Sequence, residues 1–373
     1  MTPQTVLVTG GFGQVGKRSA EILLGRGHTV IAMDLRSDAT VAAHQALTVS
    51  LAENPLPGKL VAEFTDLLDA EAIGAVMQRH QPAAIIHLAA VMSPFSYRQP
   101  QLARRVNVEG TRNLVTAAQA LSRPPLIVFA SSAAVYGSRN PYRLPERITG
   151  ETPVNPIDQY GEDKVLAEAV ITESVLPHTI LRIGGIISPD GTAIVNADSL
   201  LLVRATPTDN RMHSVDGRDV ALAFANATER RDSVDGKVLP IGGNETYLHT
   251  MSGLQDELMA AMGIGRLGPD AGLPGDPEDD LGWAFTGWFD TTESEALLDY
   301  QEHDFADTVA WVADSMRWQR AVLRLLGPAL RPTMRALLAL QRRLEHRDRY
   351  ADPWTLMAAK YGPGMFASVE PRA

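Results

Sequence analysis

A glycine stands at every third position from Gly10 to Gly16, in the run Thr9-Gly10-Gly11-Phe12-Gly13-Gln14-Val15-Gly16, directly after the apolar segment Val6-Leu7-Val8. An amphipathic stretch from Lys17 to Leu24 follows, so the order is strand, turn, helix. In such a turn glycine permits a sharp bend, a close approach of backbone to a pyrophosphate and tight packing of helix on strand. The helix N-terminus then offers unpaired N–H groups and a partial positive charge. Gly10, Gly13 and Gly16 are spaced for these tasks, with Phe12 and Gln14 in the same turn. A glycine motif alone also fits an ordinary turn. The next apolar run separates the two readings. Thr29 to Met33 ends in Asp34, 24 residues after Gly10, close to the spacing at which an acidic side chain accepts hydrogen bonds from an adenosine ribose. A carboxylate there repels a 2′-phosphate and so favours NAD over NADP. Arg36, two residues on, softens that preference.

Apolar strands alternating with helical stretches imply an α/β chain, a Rossmann-like doubly wound parallel sheet with helices on both faces. Strands are expected near 5–9, 29–34, 60–64, 84–88, 126–131 and 178–183. Ligands of such sheets bind at the carboxyl ends of the strands, where the glycine turn and Asp34 fall. Past Arg182 the pattern loosens. The expected division is a nucleotide-binding domain over 1–183 with return segments near 219–243 (a helix at 219–230, a strand at 238–243), a smaller, sequence-interleaved substrate lobe over 184–300, and a helical basic extension over 301–373.

Tyr160 and Lys164 lie four residues apart, on one face of a helix. Such a pair is by itself an ordinary helix decoration, but here further motifs surround it in order. The chain resembles an extended short-chain dehydrogenase/reductase of the NAD-dependent epimerase/dehydratase type, and the resemblance spans residues 5–300. Thr65-Asp66-Leu67 is similar to the family's adenine-contacting Asp-Leu. His87-Leu88-Ala89-Ala90 is similar to the segment beneath the cofactor, and Asn107 to its helix-borne asparagine. Residues 129–137, FASSAAVYG, resemble the strand end carrying the catalytic serine or threonine, and their register selects Ser132 over Ser131. The resemblance implies NAD as cofactor, bound through Gly10, Phe12, Gln14, Asp34, Asp66, Leu67, Ala89 and Asn107 among others, with Ser132, Tyr160 and Lys164 catalytic.

The chemistry calls for these residue types. A carbonyl receiving hydride must be protonated, and in reverse an alcohol must lose its proton. A free phenol, with a pKa of about 10, is a poor base at neutral pH; the Lys164 ammonium one turn away favours the phenolate. By resemblance Lys164 also binds the nicotinamide ribose, and Ser132 positions the substrate oxygen.

The 373 residues, 45% hydrophobic and 21% charged, suffice for one large core and a smaller lobe. Without cysteine disulfides and thiolate metal sites are excluded, and no other metal-ligand spacing occurs. A net charge of −10 argues against nucleic-acid binding by the body. No signal-like segment precedes the first strand and no long uncharged apolar run occurs, so a cytoplasmic location is expected, and by resemblance a homodimer.

For the substrate side, the sugar-nucleotide branch commonly carries an Arg-x-x-Asn segment where this chain reads Arg182-Ile183-Gly184-Gly185. It also commonly carries Arg-x-x-x-His-Val where this chain reads His213-Ser214-Val215-Asp216-Gly217-Arg218. Gly184 and Gly185 suggest room for a bulky or flat small-molecule substrate, and Arg211 or Arg204 are candidates to clasp phosphates. On this basis the expected reaction is hydride transfer to or from a secondary alcohol or ketone, lipophilic ones included, with a nucleotide-sugar epimerase or dehydratase as the alternative. A non-catalytic nucleotide sensor sits poorly with an intact Ser132, Tyr160 and Lys164. His87, at the end of a buried strand, reads as a core histidine, and His213 as a loop histidine of the substrate lobe with no special role.

The tail departs most from a minimal chain of this type. From Arg317 to Tyr350 nine arginines face only Glu345 and Asp348. Pro328 and Pro332 predict two helices, the second with Met334, Leu337, Leu338 and Leu344 on one face. Such basic amphipathic elements suit a membrane surface; the competing expectation is that the leucines pack on this protein or a second subunit.

Overall fold

Strands rich in Val, Ile and Leu with both faces apolar can only be covered by helices on both sides, and this chain builds that arrangement. The computed structural model describes residues 2–192, 197–284, 287–347 and 349–368. Its strands are β1 (Thr5–Thr9), β2 (Thr29–Asp34), β3 (Lys59–Phe64), β4 (Ala84–His87), β5 (Leu126–Ser132), β6 (His178–Ile183), β7 (Gly185–Ile187), β8 (Arg211–Asp216), β9 (Lys237–Ile241) and β10 (Leu248–Thr250). Seven form one parallel sheet in the order β3-β2-β1-β4-β5-β6-β9. The order reverses between β1 and β4, the point at which such sheets open a crevice.

Alternation within each strand divides the core. Val6, Val8, Val128 and Ala130 face the helices Gln14–Gly25 and Gly217–Glu229. Leu7, Ile127 and Phe129 face the helices Ala70–His80, Gly110–Gln119 and Gln159–Thr172. The expected strands appear within one residue at either end, save the last, expected at 238–243 and ending at Ile241; the helix expected at 219–230 runs Gly217–Glu229. A second sheet, β10-β8-β7, pairs β8 antiparallel with β10 and parallel with β7. It follows directly on β6 and lies beside the crevice.

The tail corrects one expectation. Pro328 and Pro332 do not divide it: a single 28-residue helix runs Arg317–Leu344 through both. A helix-interior proline costs about 3 kcal/mol in isolation, so outside contacts must offset the two lost bonds. They are visible along one face. Buried Gly327 packs against the Ile264 carbonyl, where a Cβ would come within 2.8 Å. Arg320, Arg335 and Arg342 donate to the carbonyls of Ala261 (2.8 Å), Leu267 (2.7 Å) and Asp270 (2.8 Å). A following helix, Pro353–Tyr361, returns to the sheet's carboxyl end.

Candidate active site

The glycine turn has a separate reason for each residue. Gly10 has φ +65°, and a Cβ there would stand 3.1 Å from the Ala89 nitrogen; both facts call for glycine. A Cβ on Gly16 would come within 2.2 Å of the Gly10 carbonyl, so a side chain would push the helix off the strand. Gly13 caps the helix Gln14–Gly25 and has no side chain to fold back on it, which leaves the first-turn N–H groups open to an anion. Asp34 stands at the end of β2, accepting from the backbone N–H of Phe12 (3.1 Å) and of Leu35 (2.9 Å). Burial pushes its carboxyl up, and those two donors oppose the shift.

Around this turn the remaining nucleotide-side candidates take distinct places. Asp66 is exposed and accepts from Leu68 N. Leu67 is buried beneath Gly110, where a Cβ would approach its side chain to 2.9 Å. Ala89 donates its N–H to the Thr9 hydroxyl (3.1 Å). Asn107 lies in a short π-helical segment, Arg105–Glu109, a distortion that often accompanies function. It grips Val91 at two points, accepting from its N–H (2.7 Å) and donating to its carbonyl (3.0 Å). Asn107 thus pins the strip 89–91 that follows β4. His87 is a core histidine: it bridges the Thr9 hydroxyl (2.7 Å) and the Thr111 hydroxyl (3.0 Å), and burial, helped by the Lys164 charge, lowers it to about 3.

β5 delivers the serines, and strand alternation sorts them. Ser131 is turned inward, donating to Glu168 at 2.5 Å, and Glu168 in turn pairs with buried Arg182 (2.7 Å). Ser132 faces the other way, toward the Tyr160 phenol, and accepts from Ala134 N at 3.2 Å. The Gln159–Thr172 helix begins at Asp158, whose carboxylate caps Gly161 N at 3.0 Å and accepts from the Tyr97 hydroxyl at 2.5 Å. This start places Tyr160 in the first turn and Lys164 one turn on. The Lys164 ammonium donates to the Ala130 carbonyl at 2.7 Å, 5.9 Å from the Tyr160 ring centre, and burial lowers it to about 8. Burial also raises the Tyr160 phenol, with Asp158 and Asp163 adding to the rise and the Ser132 hydrogen bond opposing it. Ser132, Tyr160 and Lys164 are thus together at the sheet's carboxyl end, but the phenol by itself is a weaker acid than in water.

On the substrate side the structure corrects two expectations. Gly184 does not open space: a Cβ there would meet the His213 carbonyl at 2.4 Å, because the backbone of β8 crosses at that point. Gly185, in β7, has ordinary contacts with Ser214. Arg211 spends its guanidinium on the carbonyls of Pro145 (2.7 Å) and Pro141 (3.3 Å) and stacks on Trp288; Arg204 is ion-paired with Glu345. His213 is structural, accepting from Phe289 N (2.9 Å) and donating to the Gly243 carbonyl (2.8 Å).

Two groupings were invisible in the sequence. Trp354, Met357 and Met365, from the far end of the chain, pack with Tyr97 and Ala134 around Tyr160. Ala367 N donates to the Ile157 carbonyl at 2.8 Å, two residues before the Gln159–Thr172 helix. Their only signal was apolar spacing over Trp354–Met357 in a segment whose destination was unknown. Asp216, Asp219 and His303 also bring potential metal-ligand atoms within 4.8 Å of one another. Their atoms already serve the protein: Asp216 caps Arg218 N (2.7 Å) and takes the Thr308 hydroxyl (2.5 Å), and Asp219 accepts from His303 Nδ1 (2.5 Å).

Comparison with known proteins accords with this geometry. UDP-arabinose 4-epimerase 1 of Arabidopsis thaliana is 32% identical over 189 residues, 50% of this chain and 43% of that protein. D-erythronate dehydrogenase of Cupriavidus necator is 32% identical over 170 residues, 45% of this chain and 49% of that one. The chain therefore spans less than half the length of these curated relatives. Among solved structures, a UDP-glucose-4-epimerase from Stenotrophomonas maltophila with bound NAD and formylated UDP-arabinopyranose superposes with TM-score 0.66 at 22% identity, covering 86% of this chain and 99% of that one. The profile of the NAD dependent epimerase/dehydratase family matches residues 6–242, from β1 through the last strand of the large sheet. This chain belongs to that family, with NAD as its cofactor, and the open helix end, the Gly10–Gly16 turn and Asp34 fit such a dinucleotide.

Proposed function

We propose that this chain inverts or dehydrates a nucleotide sugar through transient oxidation at a secondary carbinol, with no net change of redox state. The observation that carries the reading is the grouping of Ser132, Tyr160 and Lys164 at the same sheet edge as the glycine turn. Likeness to UDP-sugar 4-epimerases over about half the chain supports the substrate class.

NAD, when bound, supplies the acceptor and later the donor of hydride. The chain's own residues handle protons and position. Ser132 Oγ would hold the carbinol oxygen against the Tyr160 phenol. Tyr160, as phenolate, would take the hydroxyl proton as hydride leaves carbon, and return it when hydride comes back. Burial alone favours the neutral phenol, so the phenolate depends on cationic charge nearby. The Lys164 ammonium is such a charge, oriented by the Ala130 carbonyl. Asn107, by holding Val91, keeps the strip after β4 at the depth a flat ring would need.

A second reading, net oxidation of a secondary alcohol, has its own support. Arg211 and Arg204 are engaged with the protein rather than free for a diphosphate, and one relative is a sugar-acid dehydrogenase. Incubation with NAD and either UDP-glucose, UDP-arabinose or erythronate, followed by product analysis and by absorbance of the reduced nicotinamide, separates the two. The expected result is nucleotide-sugar conversion without accumulated NADH. NADH accumulation with the sugar acid or simple alcohols, and no nucleotide-sugar turnover, selects the second reading. Tyr160→Phe should slow turnover by roughly 10²-fold or more while NAD binding persists; full activity in that variant overturns the catalytic assignment.

A further inference from the structure

The Arg317–Leu344 helix is amphipathic in an inverted sense. Its protein-facing side carries Gly327 and the arginines that donate to the 261–271 carbonyls. Its outer side carries large apolar groups in two runs, Trp318 to Leu326 and Leu337 to Leu344. Trp318 is 71% exposed, Leu325 81% and Leu344 69%, with Leu326, Leu337 and Leu340 between them on the same face. At the N-terminal end the stripe runs into an apolar cleft lined by Pro189, Met262, Met316, Val322 and Leu323. Exposed apolar side chains grouped in this way call for an occupant.

Charge selects among occupants. The segment Arg317–Tyr350 holds nine arginines against two acids, and the chain's −10 leaves the remainder near −17 once this +7 is removed. Among the described residues none of the nine arginines forms an ion pair. Those that are bonded donate to neutral carbonyls, which orients them without pairing their charge, and Arg347 alone of these lies near carboxylates, Glu345 and Asp352. Arg317, Arg324 and Arg343 are exposed, each next in sequence to a residue of the stripe, Trp318, Leu325 and Leu344. A twofold contact through this face would set two such cationic helices against each other, which is repulsive. Docking on the acidic body of another copy would be head-to-tail and would grow open chains. An anionic lipid surface satisfies both features at once: the leucines and Trp318 enter the interface, and the flanking guanidinium groups reach the headgroups.

We propose that the outer face of the Arg317–Leu344 helix docks this protein on anionic lipid bilayers. The contact runs along the surface, since no helix among the described residues is long and apolar enough to cross a membrane. It leaves the catalytic groups within the protein. It also places the docked helix a short link from the Pro353–Tyr361 helix that packs at Tyr160. This inference is independent of which family reaction the chain performs.

Flotation of the full-length protein with phosphatidylcholine vesicles, with and without phosphatidylglycerol, tests it. Binding to the anionic vesicles should exceed binding to the neutral ones by about tenfold and weaken in high salt. Leu325→Asp with Leu340→Asp changes two exposed positions, so the melting temperature and the rate of NAD-linked turnover in solution should stay as in the parent while vesicle binding falls about tenfold. The parallel Arg317→Gln, Arg324→Gln, Arg343→Gln variant should lose the preference for anionic lipid while keeping some binding. Absence of binding to anionic vesicles, or equal binding by the Leu325→Asp, Leu340→Asp variant, overturns the proposal. A solution dimer that this variant dissolves, in a protein that ignores vesicles, overturns it as well and assigns the face to self-association.

Discussion

At the carboxyl edge of the large sheet, polar groups are buried and answered: Ser131 by Glu168, Asp158 by Tyr97, Asn107 by Val91, Lys164 by Ala130. Along the Arg317–Leu344 helix the pattern is reversed, with leucines exposed and arginines drawn to backbone carbonyls. Each arrangement costs free energy in isolation, through desolvation in the first and exposed apolar surface in the second. The contrast teaches where each kind of order comes from. The sheet edge is held by paired polar groups enclosed on every side, whereas the helix is held along one side and leaves the other face uncommitted.

The sharpest way to break this contrast is to exchange neighbours on β5. Ser132→Ala should lower kcat by roughly 10²-fold, by analogy with loss of one positioned donor to the reacting oxygen, with little change in stability. Ser131→Ala should do the opposite, costing about 1 kcal/mol through a lost buried hydrogen bond while Arg182 still holds Glu168. Steady-state kinetics and urea melts on both variants check the pair; a catalytic defect confined to Ser131→Ala would reverse the assignment.

Next in size, Gly16→Ala forces a Cβ to within 2.2 Å of the Gly10 carbonyl. It should destabilise the turn by about 1–3 kcal/mol and weaken NAD binding. Gly25→Ala in the same helix has nothing within 4 Å and should be neutral or stabilising by up to about 1 kcal/mol. Calorimetric NAD titration and thermal melts on both would show whether the glycine turn is as intolerant as the sheet edge requires.

On the tail side, Pro332→Ala restores an N–H toward the Pro328 carbonyl. Stability should rise by about 1 kcal/mol, read as a shift in melting temperature; a fall would mean that the helix needs its prolines for shape.

The smallest effect concerns Asp158. Burial raises its carboxyl to about 6 from an unfolded value of 3.8, so the native state binds the proton more tightly than the unfolded one. Stability from this group is complete below 3.8 and is lost as pH rises through about 6. Asp158→Asn keeps an acceptor for Gly161 N and removes the titration. Its stability relative to the parent should therefore improve between about pH 4.5 and about pH 7.5, as urea midpoints at the two values will report; an unchanged difference would refute the assignment.

Much of the sheet edge was legible because its signals are short-range. The spacing of Gly10, Gly13 and Gly16, the strand ending in Asp34 and the i, i+4 pair Tyr160/Lys164 are set by the periods of strand and helix, which any window of the chain carries. The Ser131/Ser132 choice followed from register, and in β5 Ser131 turns to Glu168 while Ser132 turns to the Tyr160 side. Gly184 misled because a missing side chain looks the same whether it makes room for a ligand or for a crossing backbone; only the position of His213 distinguishes them. The two prolines misled because propensity is local, while the bonds from Arg320, Arg335 and Arg342 connect residues 59 to 72 apart in sequence.

The sequence by itself determined the doubly wound sheet, the glycine turn and the facing Tyr160/Lys164 pair, since these follow from hydrophobic period, glycine sterics and one helical turn. Only the tertiary structure decided which side of the Arg317–Leu344 helix is covered, that Trp354 and Met357 close around Tyr160, and that Arg204 and Arg211 are engaged elsewhere. The physical reason is that an amphipathic pattern specifies two faces but not what meets them. That assignment depends on contacts between segments far apart in the chain, where no short-range period carries information.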